Sequence, residues 1–372
     1  MFPERSLEDA VSGSHKDEPA GRDKEPRESF ASTRAVLIER LGPPEALVEG
    51  DVPLAPLGPG DLHLEVRASG VNFADLLQRA GLYGVSPPRP YSPGFEVAGE
   101  VVRVGSAVKD WSPGDRAVAL LRHGGYARDV VVAAGQAFRY PDALTPVQAA
   151  AVPVVFLTAW VCLFEAARSR PGETVLVLGA GGGVGTAAVQ LARAHGLEVI
   201  GTAGSAAKRE FVVRELGAVA CFDSRGDWEA EVRRTRPAGV HVALDPVGGR
   251  ATAACRRLLM PLGRLVVYGL SEAMPGARRS WLRAARAYLR TPRFHPLSLV
   301  ERNLGVFGVQ LLHLGGRDDV LHPALAEIYR AVAAGEIRPV VDRTFPLTRD
   351  GAVAAHRYLH ERRNLGKVVL AA

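Results

Sequence analysis

Residues 174–193 read Thr-Val-Leu-Val-Leu-Gly-Ala-Gly-Gly-Gly-Val-Gly-Thr-Ala-Ala-Val-Gln-Leu-Ala-Arg, and few folds can hold such a run. Residues 174–178 are short, apolar and rich in Val and Leu, the pattern of a strand covered on both faces. The glycine turn 180–185 follows. Residues 184–192 then continue with small and apolar side chains and no breaker, as a helix packed tightly on a sheet requires. Gly182 lets backbone approach a pyrophosphate, Gly185 lets the helix sit close to the strand, and free N–H groups at the helix start face phosphate oxygens. Ala180 stands at the first fingerprint glycine, so the pattern is A-x-G-x-x-G. A glycine-rich turn alone is a weak signal. Here a second strand, residues 198–202, falls within the ~30 residues of a βαβ unit and points to a dinucleotide site.

The end of that second strand selects the cofactor. NAD sites place an Asp or Glu there for the ribose 2′-hydroxyl. This chain reads Gly201-Thr-Ala-Gly204 with no acid, and Glu198 lies at the opposite end of the strand. Ser205 suits a helix N-cap, and Lys208 falls in the first helical turn, where the helix dipole disfavours a cation. A bound 2′-phosphate accounts for it, so NADP(H) is the expected cofactor.

The chain has 372 residues, enough for two domains, with 47% hydrophobic and 23% charged residues. Its net charge of +6 is modest, and no Walker loop, C-x-x-C pattern or RNA-binding signature accompanies it, so nucleic acid is not expected as a partner. Cys162, Cys221 and Cys255 are too few and scattered for a disulfide framework; they fit a reducing compartment and read as buried small hydrophobes. No signal peptide pattern is present, and the expected location is cytoplasmic. Residues 1–30 carry 13 charges of mixed sign and few large apolar side chains, so a disordered tail is expected over 1–33. Residues 147–164 carry no charge, yet Pro153 interrupts them and Gln148 and Thr158 dilute them. Buried core helices meeting at a proline are expected there rather than a membrane span.

Residues 34–154 read as short strands with Gly and Pro turns, a β-rich domain. Over 155–312 strands alternate with helices, which argues an α/β domain with a doubly wound parallel sheet. Residues 313–372 return to helix and end in a strand, Lys367-Val-Val-Leu370.

These motifs together resemble the medium-chain dehydrogenase/reductase superfamily, in its zinc-independent quinone oxidoreductase branch, from about residue 34 to the end. Ser69-Gly-Val-Asn-Phe-Ala-Asp75 with Gly81-Leu-Tyr83 resembles that branch's substrate-side motif, and Pro93-Gly-Phe-Glu-Val-Ala-Gly99 its G-x-E-x-x-G turn. The nucleotide turn, Gly201-Thr-Ala-Gly-Ser205 with Lys208, Asp245-Pro-Val-Gly-Gly249 and Asn364-Leu-Gly-Lys-Val-Val-Leu370 follow in family order. The stretch after Tyr268-Gly-Leu270 is similar to an insertion of the vesicle amine transport protein homologues, the most similar subgroup. The resemblance implies a GroES-like catalytic domain interrupted by a Rossmann domain, with residues 313–372 completing the first. It also implies a homodimer through the edge strand near Val306-Phe-Gly-Val309.

By the same resemblance, Asn72 and Thr158 lie beside the nicotinamide, and Gly182, Gly183 and Val184 meet the phosphates. Gly204, Ser205, Lys208 and Ser224 fall at the adenine end, where some relatives carry a tyrosine in place of Ser224. Gly269, Phe307, Gly308, Asn364 and Lys367 complete the implied contacts. Asn72 and Tyr83 are the implied catalytic residues. An amide can donate to a carbonyl oxygen, and a phenol can donate a hydrogen bond or a proton. Asp75 reads as orienting its loop.

No metal is expected. Positions similar to zinc ligands fall within Val71-Asn72 and at Phe95, and no Cys precedes Cys162. His356 and His360 alone have H-x-x-x-H spacing, without the Glu of H-E-x-x-H, and read as surface or locally satisfied histidines. The expected reaction is therefore NADPH-dependent reduction of a quinone, enone or enoyl thioester. Residues 278–293 hold six arginines and no acid, punctuated by Trp281, Leu282 and Leu289. Such a basic amphipathic stretch suits an anionic membrane surface or a carrier-bound substrate. The alternative function is a membrane- or lipid-associated binding protein on a reductase scaffold.

Overall fold

The computed structural model describes residues 32–84, 86–273, 289 and 291–372. Nearly all of the predicted tail and most of the arginine-rich stretch, residues 274–290 apart from Leu289, lie outside the described residues.

β1 (Ser32–Ile38) and β2 (Leu47–Pro53) form an antiparallel hairpin. Ser32 and Thr33 belong to β1, two residues inside the expected tail. Thr33 is held there by its hydroxyl donating to Asp129 at 3.0 Å. β3 (Asp61–Val71) is the spine of a seven-stranded sheet. It pairs with β4 (Glu96–Val104), which pairs with β5 (Arg116–Leu120); β6 (Asp129–Ala133) adds to β3, and β7 (Ala137–Arg139) to β5. Alternation sets its register: Leu62, Leu64 and Val66 of β3 are buried and the residues between them are not fully so.

A second sheet has six parallel strands. They are β8 (Thr174–Val177), β9 (Glu198–Ala203), β10 (Ala220–Asp223), β11 (Val240–Asp245), β12 (Leu259–Val267) and β13 (Gly305–Gly308). Their order, β10-β9-β8-β11-β12-β13, reverses direction at β8, the doubly wound arrangement. All four residues of β8 are buried, as helices on both faces demand. The chain then returns. β14 (Val341–Pro346) lies parallel to β15 (Lys367–Ala371), and β15 pairs antiparallel with the end of β3.

α1 (Phe73–Ala80) leaves the end of β3; α2 (Pro146–Ala149) and α3 (Pro153–Trp160) join the two sheets. The run Pro146–Ala166 is apolar and long enough to cross a membrane by length and composition, yet its most apolar window is 72% buried within the protein. Val152, Val155 and Leu157 share one core with Val175, Val177 and Ala188. α4 (Gly183–Ala194) follows the glycine turn. A Cβ on Gly185 would stand 2.2 Å from the Gly179 carbonyl oxygen, so only glycine lets α4 pack this close to β8.

Candidate active site

A cavity of about 900 Å³ lies where the carboxyl ends of β8, β11 and β12 face the first sheet. This is the crevice in which doubly wound sheets bind ligands. Gly182, Gly183 and Val184 form one wall, and Asn72, Tyr83 and Phe95 the opposite one. Gly269 and Gly308 border it along the second sheet. Leu77, Leu82, Leu120 and Leu311 make much of the remaining lining apolar.

Asn72 caps α1, with backbone in the extended region, and is 7% exposed. Its amide nitrogen donates to Glu96 Oε1 at 2.9 Å and, at 3.4 Å, to the Gly70 carbonyl. Its oxygen accepts from Lys367 Nζ at 2.5 Å, and Lys367 Nζ also donates to Glu96 Oε1 at 2.5 Å. The second oxygen of Glu96 accepts from the Val154 N–H at 2.7 Å, at the start of α3, where the helix dipole favours a carboxylate. Glu96 is fully buried and Lys367 is 3% exposed. A Cβ on Gly70 would fall 2.4 Å from Glu96 Oε1, so glycine there is what admits the carboxylate. The carboxamide of Asn72 is thus fixed from both ends by an ion pair. Its protons are directed at protein acceptors rather than left free for a substrate.

Tyr83 packs against Phe95 with ring centres 5.7 Å apart. Burial pushes its phenol pKa up, opposed by a hydrogen bond with Gln310, so the hydroxyl keeps its proton near neutrality. Thr158 lines the cavity, but its hydroxyl donates to the Val154 carbonyl at 2.7 Å, the back-bond of a helical threonine.

The turn itself is open. No side chain caps α4, so its first N–H groups are left for a ligand. A Cβ on Gly182 would meet only the Gly179 oxygen, at 3.4 Å. The Gly366 N–H donates to the Gly181 oxygen at 2.9 Å, which brings the closing motif onto the turn. Asn364 holds that motif through its own bond to the Gly366 carbonyl at 2.8 Å.

Gly204, Ser205, Lys208 and Ser224 gather outside the cavity, at the ends of β9 and β10. Ser205 caps α5 (Ala206–Arg214) by accepting from the Lys208 N–H. The ammonium of Lys208 donates to the Arg362 carbonyl at 2.7 Å. Burial and the charges of Arg362 and Arg225 lower its pKa against the opposing pull of Asp342. A Cβ on Gly204 would lie 3.6 Å from the Ser224 hydroxyl and 3.7 Å from Arg225 Nη2.

Thus Asn72, Tyr83, Thr158, Gly182, Gly183, Val184, Gly269 and Gly308 meet in one cavity. Phe307 does not line it; it lies on β13, 42% exposed. Sequence reasoning quoted Glu96 only inside a motif and passed over Arg225. A carboxylate alone in an apolar run, and an arginine directly after Ser224, were the available signals. His356 is not on the surface: it is fully buried, and His360 is 7% exposed. His356 is satisfied locally, between the buried Arg79 and the Tyr126 hydroxyl, whereas Arg79 donates to Nε2 of His360 and the buried Nδ1 of that ring has no partner among the described residues. Among the described residues, no three His, Cys, Asp or Glu side chains group as metal ligands.

Residues 58–142 match the family model described as alcohol dehydrogenase GroES-like domain, and residues 216–370 the model described as zinc-binding dehydrogenase. The synaptic vesicle membrane protein VAT-1 homolog of Mus musculus is 40% identical over 321 residues, covering 86% of this chain and 78% of the mouse protein. The structure of Escherichia coli quinone oxidoreductase complexed with NADPH is similar at a TM-score of 0.80 and 29% identity, over 91% of this chain and 100% of that one. The CurK enoyl reductase structure is similar at a TM-score of 0.78 and 27% identity, over 91% and 99% of the two chains.

Proposed function

This chain belongs to the medium-chain dehydrogenase/reductase superfamily, in its quinone oxidoreductase branch and near the VAT-1 homologues, and on that footing we propose that it is an NADPH-dependent reductase of quinones or α,β-unsaturated carbonyl compounds, enones or enoyl thioesters, working without zinc. The observation that carries this reading is a single cavity with an uncapped glycine turn on one side and Tyr83 on an apolar wall opposite. The likeness to a quinone oxidoreductase solved with NADPH and to an enoyl reductase supports it.

The residues present fit a phosphorylated dinucleotide. The first turn of α4, with the open face of Gly182, would hold the pyrophosphate, while Gly183 is glycine because a Cβ there would lie 3.0 Å from Val155. Ser205, Lys208, Ser224 and Arg225 would hold the 2′-phosphate; β9 itself ends without an acid, and the Asp223 carboxylate beside its last residue is paired with Arg209 at 3.0 Å and accepts from the Arg225 N–H. Lys367, Asn72 and Thr158 would border the nicotinamide end.

When bound, the reduced nicotinamide supplies a hydride to an electron-poor carbon. Negative charge would then gather on the substrate's carbonyl oxygen, and Tyr83, which lines the cavity, would be the hydroxyl to meet it. Its raised pKa suits a hydrogen-bond donor to a developing enolate. Asn72, held by Glu96 and Lys367, forms a rigid floor beside it. The leucines and Phe95 exclude water from the reacting atoms. Phe95, where zinc-dependent relatives carry a histidine, offers the aromatic contact with Tyr83 in place of a ligand.

NADPH oxidation against a panel of quinones, enones and enoyl thioesters tests the reading, with Tyr83→Phe beside the wild type. Turnover on at least one acceptor, lowered in Tyr83→Phe, is expected; no turnover on any acceptor overturns it. Lys208→Ala and Arg225→Ala should each weaken NADPH by about ten- to a hundred-fold in a fluorescence titration and spare NADH. Equal loss for both cofactors would move the 2′-phosphate elsewhere.

The mouse relative, named as a synaptic vesicle membrane protein, favours a second reading: a membrane- or lipid-binding protein on this scaffold. Co-sedimentation with anionic liposomes that disappears in salt, together with absent turnover, would favour it.

A further inference from the structure

Behind α1 lies a set of buried polar groups that the site does not use. Arg79, Tyr126, His356 and Asp75 are each fully buried. Arg79 Nη1 lies 3.3 Å from His356 Nδ1, His356 Nε2 lies 3.1 Å from the Tyr126 hydroxyl, and that hydroxyl lies 3.2 Å from Asp75 Oδ2. A branch runs from Arg79 Nη2 to His360 Nε2 at 2.7 Å.

The direction of every bond follows from one fact: a guanidinium only donates. His356 Nδ1 must therefore accept, which puts the proton of the neutral ring on Nε2. That proton goes to the Tyr126 oxygen, and the Tyr126 proton goes to Asp75. Asp75 accepts twice more. Its Oδ2 takes the Asn72 N–H at 2.7 Å, and its Oδ1 takes the Gly94 N–H at 3.1 Å. One carboxylate thereby joins the helix start that carries Asn72 to the turn that leads into Phe95 and Glu96.

We propose that Arg79, His356 and Tyr126 form a one-way hydrogen-bond relay that keeps Asp75 an acceptor, and that Asp75 is a positioning residue holding Asn72 and Glu96 in register for catalysis. The inference rests on the reductase reading for its functional consequence, while its geometry can be tested without turnover.

The relay makes the site sensitive to acid. Burial pushes Asp75 up to about 7, opposed by its bond from Asn72, the charge of Lys367 on β15 and the Tyr126 hydroxyl, and reinforced by the charge of Glu96 on β4. Arg79 on α1 and His356 on the helix Arg349–His360 face it only through Tyr126. A protonated Asp75 has to donate, yet Asn72 N–H, Gly94 N–H and Tyr126 all point donors at it. Tyr126 cannot turn its proton to His356 while Arg79 holds the ring's other nitrogen as acceptor. The deprotonated form is therefore the aligned one, and kcat/KM should rise with pH through the Asp75 titration.

Tyr126→Phe removes one donor at nearly constant volume. Loss of a bond to a carboxylate should move the acid limb of the kcat/KM profile up by about one pH unit or more. The NADPH dissociation constant above pH 8.5, read by fluorescence, should stay within about two-fold. His356→Gln, whose amide can accept from Arg79 and donate to Tyr126, should keep the wild-type limb, whereas His356→Leu should shift it as Tyr126→Phe does. Independently of turnover, ¹⁵N NMR should find His356 as the neutral Nε2–H tautomer down to pH 5. An acid limb unmoved in Tyr126→Phe, or an Nδ1–H tautomer, overturns the relay. A wild type that binds no NADPH overturns the reductase reading instead, and the tautomer then still decides the relay's geometry.

Discussion

Glu96 and Lys367 lie 271 positions apart in the chain, and their contact holds the site together. Both are shut away from water, so each charge is tolerable only because the other is present. Lys367→Met would leave the Glu96 carboxylate buried with backbone and amide donors alone. Removing one member of such a pair costs about 3–5 kcal/mol, whereas Glu96→Gln together with Lys367→Met should cost much less. Urea denaturation of the two single variants and the double variant checks this; additive losses would mean that the two residues act separately. The sequence offered Lys367 within the closing motif and Glu96 within the G-x-E-x-x-G turn. Nothing in either motif says that they meet, or that Asn72 would be pinned between them.

The helix Arg349–His360 illustrates how an element acquires a property that its own pattern hides. Read alone, His356 and His360 share one face. Packed beside Arg79, that face becomes a place where a second positive charge cannot form. Burial first, then the Arg79 charge, depresses both histidines, His360 to about 4 and His356 well below the ordinary imidazole range. In the unfolded chain they take up protons near pH 6.5. Their contribution to stability is therefore present above pH 6.5 and lost as the pH falls toward 4. Asp75 acts in the opposite sense, because its raised pKa favours the fold at lower pH, but it is one group against two. The urea midpoint should fall between pH 6.5 and 4.5, and His360→Gln should lessen the fall. A midpoint that is flat over this range would mean that the histidines charge in place.

Beside the β1–β2 hairpin, the described residues form two large sheets sewn together by a chain that leaves the first, builds the second and returns. β14 and β15 join the sheet begun by β3, and the return brings Lys367 to Asn72 and Gly366 to the glycine turn. At the far side of the second sheet β13 is an edge, with Phe307 exposed on it and Leu297 and Val300 exposed on the helix Pro296–Val300 just before it. Open edges invite pairing with another chain. We expect a homodimer through β13, measured by light scattering on a sizing column, and Phe307→Lys should shift it toward monomer; a monomeric wild type would remove this expectation. Local signals sufficed for the strand-turn-helix of the cofactor site, the doubly wound sheet and the β-rich partner, because glycine sterics, side-chain period and a missing acid at a strand end each act within a few residues. The ion pair under Asn72 and the burial of His356 depend on backbone segments hundreds of residues apart meeting in space, and the arginine beside Gly204 depends on the pairing of β9 with β10. Only the folded chain could decide those, since desolvation and the geometry of a donor facing an acceptor exist nowhere in the order of the residues.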